Sequence, residues 1–394
     1  MNVPVWEDGT WDPLGTVPPG TTLDADMCVV GLGGSGLAAV GAGIDAGLSV
    51  VGVDAGVVGG GAAGRNGGFL LAGMARFHHD AVAAWGEDTA AGLYAATLAE
   101  IERLADELGE VGVLLRRVGS LRLPPTEQGD GEAEDCARHL DALRRSGFPG
   151  EAWDGGGLLI PGDAVLDPLA RCRHLARRAM ADGADLFEGT PLVGASGTVV
   201  GVGGGARIRL RIGTVVAIDG GLERVLPSLT VPAALYEQVR STRLQMLATA
   251  PVPIGTLPRP VYLRYGYDYA QQLPDGRIAA GGRRDRHEAE EWGADPEPTD
   301  AVQAGIECLL RDTLGIVAPV THRWAGEVSY TADHLPLLAA FPSRLAVCGA
   351  YSGHGNVLGS MCGRAAVDLL LGRRSPWADL VKTAGSFEDG RART

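Results

Sequence analysis

"VVGLGGSGLAAVGAGIDAGLSVVGVDAG", residues 29 to 56, passes from one apolar run through a knot of glycines into a second apolar run that ends in a carboxylate. A membrane span does not fit, because Asp45 and Asp54 interrupt the run and glycines break it repeatedly, whereas a spanning helix needs about 20 predominantly apolar residues. The order reads instead as strand, tight turn, helix, strand: "MCVV" is short, apolar and β-branched, and "SGLAAVGAGIDAG" is rich in alanine and closes on Gly47, where a helix would stop. Between them Gly31-Leu32-Gly33-Gly34-Ser35-Gly36 forms G-x-G-x-x-G. Gly31 suits the tight turn, Gly33 lets backbone approach a pyrophosphate, and Gly36 lets the helix pack close to the strand. Asp54 ends "LSVVGVD", 23 residues after Gly31, near the spacing at which an acid meets a ribose hydroxyl. Sixty of the 394 residues are glycine, about twice the usual share of roughly 7%, so the complete order carries the dinucleotide reading and the hexapeptide alone does not.

The rest of the chain bounds the function class. A length of 394 residues with 45% hydrophobic content predicts two domains, or one with a large insertion. A formal charge of −14 argues against a nucleic-acid surface, and the one dense charged stretch, "GGRRDRHEAEEW" at 281–292, mixes both signs and reads as a solvated loop. Cys28, Cys136, Cys172, Cys308, Cys348 and Cys362 show no C-x-x-C and no zinc spacing, and the only neighbouring histidines, His78 and His79, point different ways, so no metal is expected and the cysteines are expected to be reduced. The N-terminal stretch carries acids and prolines where a signal peptide has positive charge and an apolar core, which predicts a cytoplasmic protein.

Near the other end "AVCGAYSGHGNVLGSMCGRAAVDLLLG" repeats the logic: a strand "RLAVCGA", a turn Ser352-Gly353-His354-Gly355 and a helix to Leu371, with Gly355, Gly359 and Gly363 on one face for close packing. A nucleophilic serine is the poorer explanation, since Ala350 and His354 occupy the glycine positions of G-x-S-x-G around Ser352. "LRYGYDY" alternates so that Leu263, Tyr265, Tyr267 and Tyr269 share one strand face, either as a pocket wall or as packing. Arg243, Arg264 and Arg283 are the candidates for a substrate carboxylate.

The long loop after Asp54, "GAAGRNGG" at 61–68, is not needed by a nicotinamide domain and resembles the "GASGRNGG" loop of FAD-dependent amino acid and amine oxidases related to D-amino acid oxidase, glycine oxidase and sarcosine oxidase. Blocks at 167–193, 215–229, 243–253, 267–282 and 322–370 resemble that family in order, so the resemblance covers most of the chain. It implies an α/β (overall α+β) architecture: a Rossmann-like FAD domain from residues 1–75, 151–228 and 322–394, with a substrate domain of 76–150 and 229–321 on an antiparallel sheet. It implies FAD contacts at Gly31, Gly33, Gly34, Ser35, Gly36, Asp54, Ala55, Ala62, Arg65, Asn66, Gly67, Gly68, Leu192, Ala217, Gly353, His354, Gly355 and Asn356. Catalytic roles fall to His354, Tyr267 and Tyr269, and substrate contacts to Tyr267, Tyr269, Tyr351 and Arg264. Three departures matter: Asp54 stands where Glu is usual, Ala63 replaces the loop serine, and Gly326 occupies the position of the flavin-tethering Cys, so FAD is expected to be non-covalent. The implied reaction is oxidation of an amine or amino acid to an imine, with O2 or another acceptor taking the electrons. The alternatives are an NAD(P)-dependent dehydrogenase and a flavin-binding subunit with little turnover of its own.

Overall fold

The computed structural model describes residues 2–109, 115–124, 131–293 and 295–385, together with the backbone of two short strands at 387–388 and 391–392. Two compact units emerge, one of residues 9–64, 168–241 and 327–394, the other of 1–8, 65–167 and 242–326. These bounds differ from the expected ones: residues 1–8, 65–75, 151–167 and 322–326 group with the sheet that carries the tyrosines, and 229–241 with the glycine-rich turn.

The first unit contains the opening stretch, folded in the order read from sequence. Strand β1 (Thr22–Val30) leads through the glycine turn into helix α1 (Gly34–Asp45), and β2 (Val50–Val53) returns beside β1 in parallel. Gly47 (φ +78°) ends the helix, its N–H bonding Ile44 O at 2.8 Å, because a left-handed residue is needed there and glycine meets no Cβ penalty. The main path of its eight-stranded sheet runs Leu337–Phe341, Leu345–Gly349, Arg207–Ala217, β1, β2, Asp185–Phe187, parallel except for its first pair, and Leu192–Ser196 and Val199–Val202 add an antiparallel hairpin beside Arg207–Ala217. Val30, Val51, Val53, Val216 and Val347 fill its core, as near-continuous apolar runs do when both faces of a parallel sheet are covered. Helix α5 (Pro168–Ala181) and a C-terminal helix, Gly355–Leu370, belong to the same unit.

The other unit is built on an eight-stranded sheet in which Val261–Leu263 runs parallel to Ser120–Arg122 and the other pairs between Val239–Thr249 and Glu151–Trp153 are antiparallel. Leu121, Val261, Leu263, Ala270, Ile278 and Ala280 pack on Val302 and Ile306 of the helix Asp300–Cys308. Helices α2 (His78–Trp85), α3 (Glu87–Gly109) and α4 (Glu132–Arg145) complete it. The charged stretch 281–292 is not simply a solvated loop: Gly281 and Gly282 end a strand, and Glu291 is buried against Arg243. Among the described residues no helix is long and apolar enough to cross a membrane, and no group of three or more His, Cys, Asp or Glu converges on a metal-sized site.

Candidate active site

The glycine turn contains two kinds of constraint. Gly31 has φ +100° and a Cβ there would overlap the Ala217 carbonyl oxygen, while a Cβ at Gly36 would overlap the Gly31 carbonyl oxygen, so both are glycine because the protein itself fills the space. Gly33 is different. Its backbone is extended (φ −83°, ψ −172°) and a Cβ would meet only Ala63 Cβ, at 3.2 Å. The fold leaves that lane open beside the start of α1, whose first turn holds no acidic side chain to offset its partial positive charge. An anionic group with extended reach, such as a pyrophosphate, fits both features.

Acids stand at the carboxyl ends of three parallel strands, where ligands of such sheets bind. Asp54, after β2, accepts the Leu32 N–H (2.7 Å) and the Gly56 N–H (2.8 Å), and burial followed by the charge of Glu188 pushes its pKa up against those bonds. Each carboxylate oxygen has a further lone pair with which to take a ribose hydroxyl. Glu188, after the strand Asp185–Phe187, accepts from Trp11 Nε1 (2.9 Å), Leu14 N (2.7 Å) and Val58 N (2.6 Å), tying the N-terminal segment to the β2 loop. Asp219, just past Ala217, accepts the Tyr351 N–H at 3.0 Å, and burial pushes its pKa to about 7. Glu188 and Asp219 were not among the sequence candidates, although an acid closing an apolar strand is the same signal that marked Asp54. Ala55 follows Asp54, Ala62 lies in a one-turn helix Ala62–Gly64, and Leu192 opens a half-buried strand.

The C-terminal turn is strained as functional turns often are: Ala350 and Ser352 hold φ +53° and +50°, Gly353 +86°. His354 caps the helix Gly355–Leu370, with its carbonyl accepting Leu358 N–H at 3.1 Å, and that helix also has no acid in its first turn. Gly363 lies so close to α1 that a Cβ would overlap Ser35 O, which confirms the close-packing face. Tyr351 is 3% exposed, its ring lies against Gly355 and Gly359, and burial holds its phenol well above the usual range. Arg171 of α5, also missed in the sequence, is 2% exposed and bonds Asn356 O (2.9 Å) and Ser360 Oγ, bracing the first turn of that helix.

In the other unit the Arg65–Gly68 loop is shaped by its own side chains. Arg65 donates to Asn2 Oδ1 (2.9 Å) and Ala325 O (3.0 Å), Asn66 Oδ1 accepts Gly68 N–H (2.7 Å), and the carbonyls of Arg65 and Asn66 accept Trp324 Nε1 (2.8 Å) and Trp6 Nε1 (2.9 Å). Gly68 sits at φ +74° with no room for a Cβ beside Leu166 O. Gly326 is buried and offers no thiol.

The tyrosine face is a correction. Strand Val261–Leu263 ends before Arg264 and Tyr265, both left-handed (φ +51° and +59°), and Leu263 pairs with Asp268 across a hairpin, so the alternation breaks at the turn. Tyr265 (43%) and Tyr267 (38%) are exposed there, with Arg284 over the Tyr267 ring. Tyr269 instead turns inward beside Tyr262 and Phe69, and Gly67 lies 3.4 Å from it by a would-be Cβ. The three arginine candidates are spent on protein carboxylates: Arg243 on Glu291 (2.6 Å), Arg264 on Asp268 (3.1 Å) and Asp285, Arg283 on Asp268 (3.3 Å).

Comparison with known proteins places this geometry in a family. Residues 26–369 match the family described as "DAO: FAD dependent oxidoreductase". The chain is 29% identical over 238 residues (57% of its length) to the probable oxidoreductase OrdL of Rhizobium meliloti (strain 1021), spanning 51% of that relative. It is 26% identical over 308 residues to a glycine oxidase of Bacillus licheniformis, covering 71% of this chain and 78% of the other. Glycine oxidase from Geobacillus kaustophilus shares the fold at TM-score 0.72 and 20% identity over 90% of this chain and 96% of that one, and L-proline dehydrogenase from P. horikoshii at 0.73 and 19% over 92% and 98%. The nicotinamide-dehydrogenase alternative falls with these matches. This chain belongs to the DAO family of FAD-dependent oxidoreductases, and its cofactor is FAD.

Proposed function

We propose that this enzyme holds FAD without a covalent link and oxidises the C–N bond of an amino acid or of a primary or secondary amine to an imine. The reading is carried by the open lane past Gly33 between two glycines that the protein closes. The Gly31–Gly36 backbone and the start of α1 hold the pyrophosphate, Asp54 takes the adenosine ribose, and the turn Gly353–Asn356 meets the flavin end. Bound FAD supplies the acceptor for a hydride from the carbon beside a neutral amine nitrogen. His354 and the positive end of the Gly355–Leu370 helix would stabilise negative charge gained by the flavin on reduction. Tyr269, with Tyr262 beside it, would offer the substrate apolar ring surface. Loss of the amine proton completes the imine, and water hydrolyses it to a carbonyl compound and ammonia or a smaller amine. The electrons pass on to O2 or to another acceptor, and the setting is the cytoplasm.

Anaerobic mixing of the yellow protein with a panel of amines and amino acids tests this. Bleaching of the flavin by one class supports C–N oxidation; no bleaching by any would favour a flavin-binding subunit. Acid precipitation should leave the flavin in the supernatant, since Gly326 has no thiol, and colour retained in the washed pellet would disprove the non-covalent link.

A further inference from the structure

Helix α5 carries a buried arginine that the reaction described above does not use. Arg171 is 2% exposed and stands in the first turn of that helix. Leu169 and Cys172 of the same turn pack against the loop after β2, where a Cβ on Gly59 would press on both and one on Gly64 would press on Leu169. The Arg171 side chain reaches instead to the crossing of two other helices of the same unit. Its Nη1 donates to the Asn356 carbonyl at 2.9 Å and its Nη2 to Ser360 Oγ, both on the Gly355–Leu370 helix. The same Nη1 lies 3.7 Å from where a Cβ on Gly34, the first residue of α1, would stand.

The crossing is close enough for one guanidinium to touch the opening turn of each helix. A Cβ on Gly363 would overlap Ser35 O, and one on Gly359 would lie 3.5 Å from Ser35 Cβ, so the helices meet at the second residue of α1. Neither opening turn holds an acidic side chain. A guanidinium placed there adds to the partial positive charge of both helix ends instead of offsetting it. Its charge-assisted bond to the Asn356 carbonyl polarises the peptides of that turn further, and a buried charge is screened little.

We propose that Arg171 is a positioning residue for the cofactor: it locks the opening turn of the Gly355–Leu370 helix against that of α1 and strengthens the positive potential there, so that bound FAD is reduced more readily. This rests on the assignment above of the turn Gly353–Asn356 to the flavin end. An arginine present only for packing would stabilise the apoprotein and leave the electron affinity of the bound flavin unchanged.

The test equilibrates the FAD-loaded enzyme with reference dyes of known potential, which reads the ratio of reduced to oxidised flavin, and follows thermal unfolding of the apoprotein beside it. Arg171→Met, which loses the charge and both hydrogen bonds, should lower that ratio at a given potential at least about tenfold, or about 30 mV for a two-electron couple. A charge at a partly buried helix end acts on that scale. Arg171→Lys should lie between, since it keeps the charge and loses the fork. Arg178→Gln, on the same helix at a position paired with Asp182 (3.8 Å), should match the parent. Should Arg171→Met not fold or not hold FAD, Arg171→Lys and Ser360→Ala, each lacking one of the two bonds, should both fall below the parent. A parent-like potential in Arg171→Met or in either of that pair, a lysine variant no closer to the parent than the methionine one, an equal fall in Arg178→Gln, or a loss of apoprotein stability alone would each overturn the proposal. None of these readings needs an amine. If no amine bleaches the flavin, C–N oxidation fails and the potentials still judge Arg171, whereas unchanged potentials in an enzyme that amines bleach overturn the role of Arg171 alone.

Discussion

Replacing Gly33 separates the two duties of a glycine-rich turn. At φ −83° and ψ −172° the backbone suits any residue, and a Cβ meets only Ala63 Cβ at 3.2 Å, a contact relieved by a shift of a few tenths of an ångström. Gly→Ala at a compatible position gains about 0.4–1 kcal/mol by restricting the unfolded chain. That gain and the tight methyl contact nearly cancel, so the flavin-free Gly33→Ala protein should unfold within about 1 kcal/mol of the parent. Cofactor affinity should not survive as well. The methyl enters the lane through which the pyrophosphate reaches backbone N–H groups, and hydrogen bonds to charged groups contribute about 1.5–3 kcal/mol each. Two such bonds lost raise the FAD Kd roughly 10²- to 10⁴-fold, and Gly33→Val should lie at the upper end. Deflavinated protein titrated with FAD by flavin fluorescence quenching gives Kd, and thermal unfolding without FAD gives stability. Gly36→Ala is the contrast, because its Cβ overlaps the Gly31 carbonyl and the fold itself should fail. If Gly33→Val binds FAD with the parent Kd, the lane does not hold the pyrophosphate and the cofactor assignment to this turn is wrong.

Two further outcomes follow from the strand ends and the C-terminal turn. His354→Ala should retain FAD, whose main anchors lie at Gly31–Gly36 and Asp54, and slow flavin reduction by about 10²-fold, as loss of one preorganised donor does; an unchanged rate in rapid mixing with a bleaching amine would make His354 a solvated cap. Asp219, raised by burial from 3.8 to about 7, binds a proton more tightly folded than unfolded. Its contribution to stability is therefore complete below about pH 4 and is lost as pH rises through about 7. Asp219→Asn, which keeps an oxygen for the Tyr351 N–H, should flatten the decline of flavin-free stability between those values, and an unaltered slope in denaturant titrations at several pH values would refute the assignment.

How far the chain was readable without coordinates depended on the range of the forces involved. The strand, turn, helix and strand of residues 22–53, the stop at Gly47 and the glycine face of the helix Gly355–Leu370 were legible because each is set by neighbours within a few residues: β-branching, backbone freedom at glycine, and helical periodicity. The tyrosine alternation failed because "LRYGYDY" supports either an extended run or a hairpin, and the choice fell to pairing with Ile278–Gly282 and to the burial of Asp268 under two arginines. The fates of the arginines were illegible for the same reason. Which of them is neutralised depends on carboxylates up to 48 positions away, as Arg243 and Glu291 are, and no local pattern records such a pairing. Glu188 and Asp219 lie between these cases. Their placement at the ends of apolar runs was visible in the sequence, but only the parallel order of the sheet, a product of long-range strand pairing, put them beside Asp54 and beneath the turn that carries His354. Sequence alone thus determined the nucleotide-binding element, whose geometry is local, while the choice of which charges remain open to a ligand was made by tertiary packing, because a charge is spent or left available only by what the fold brings next to it.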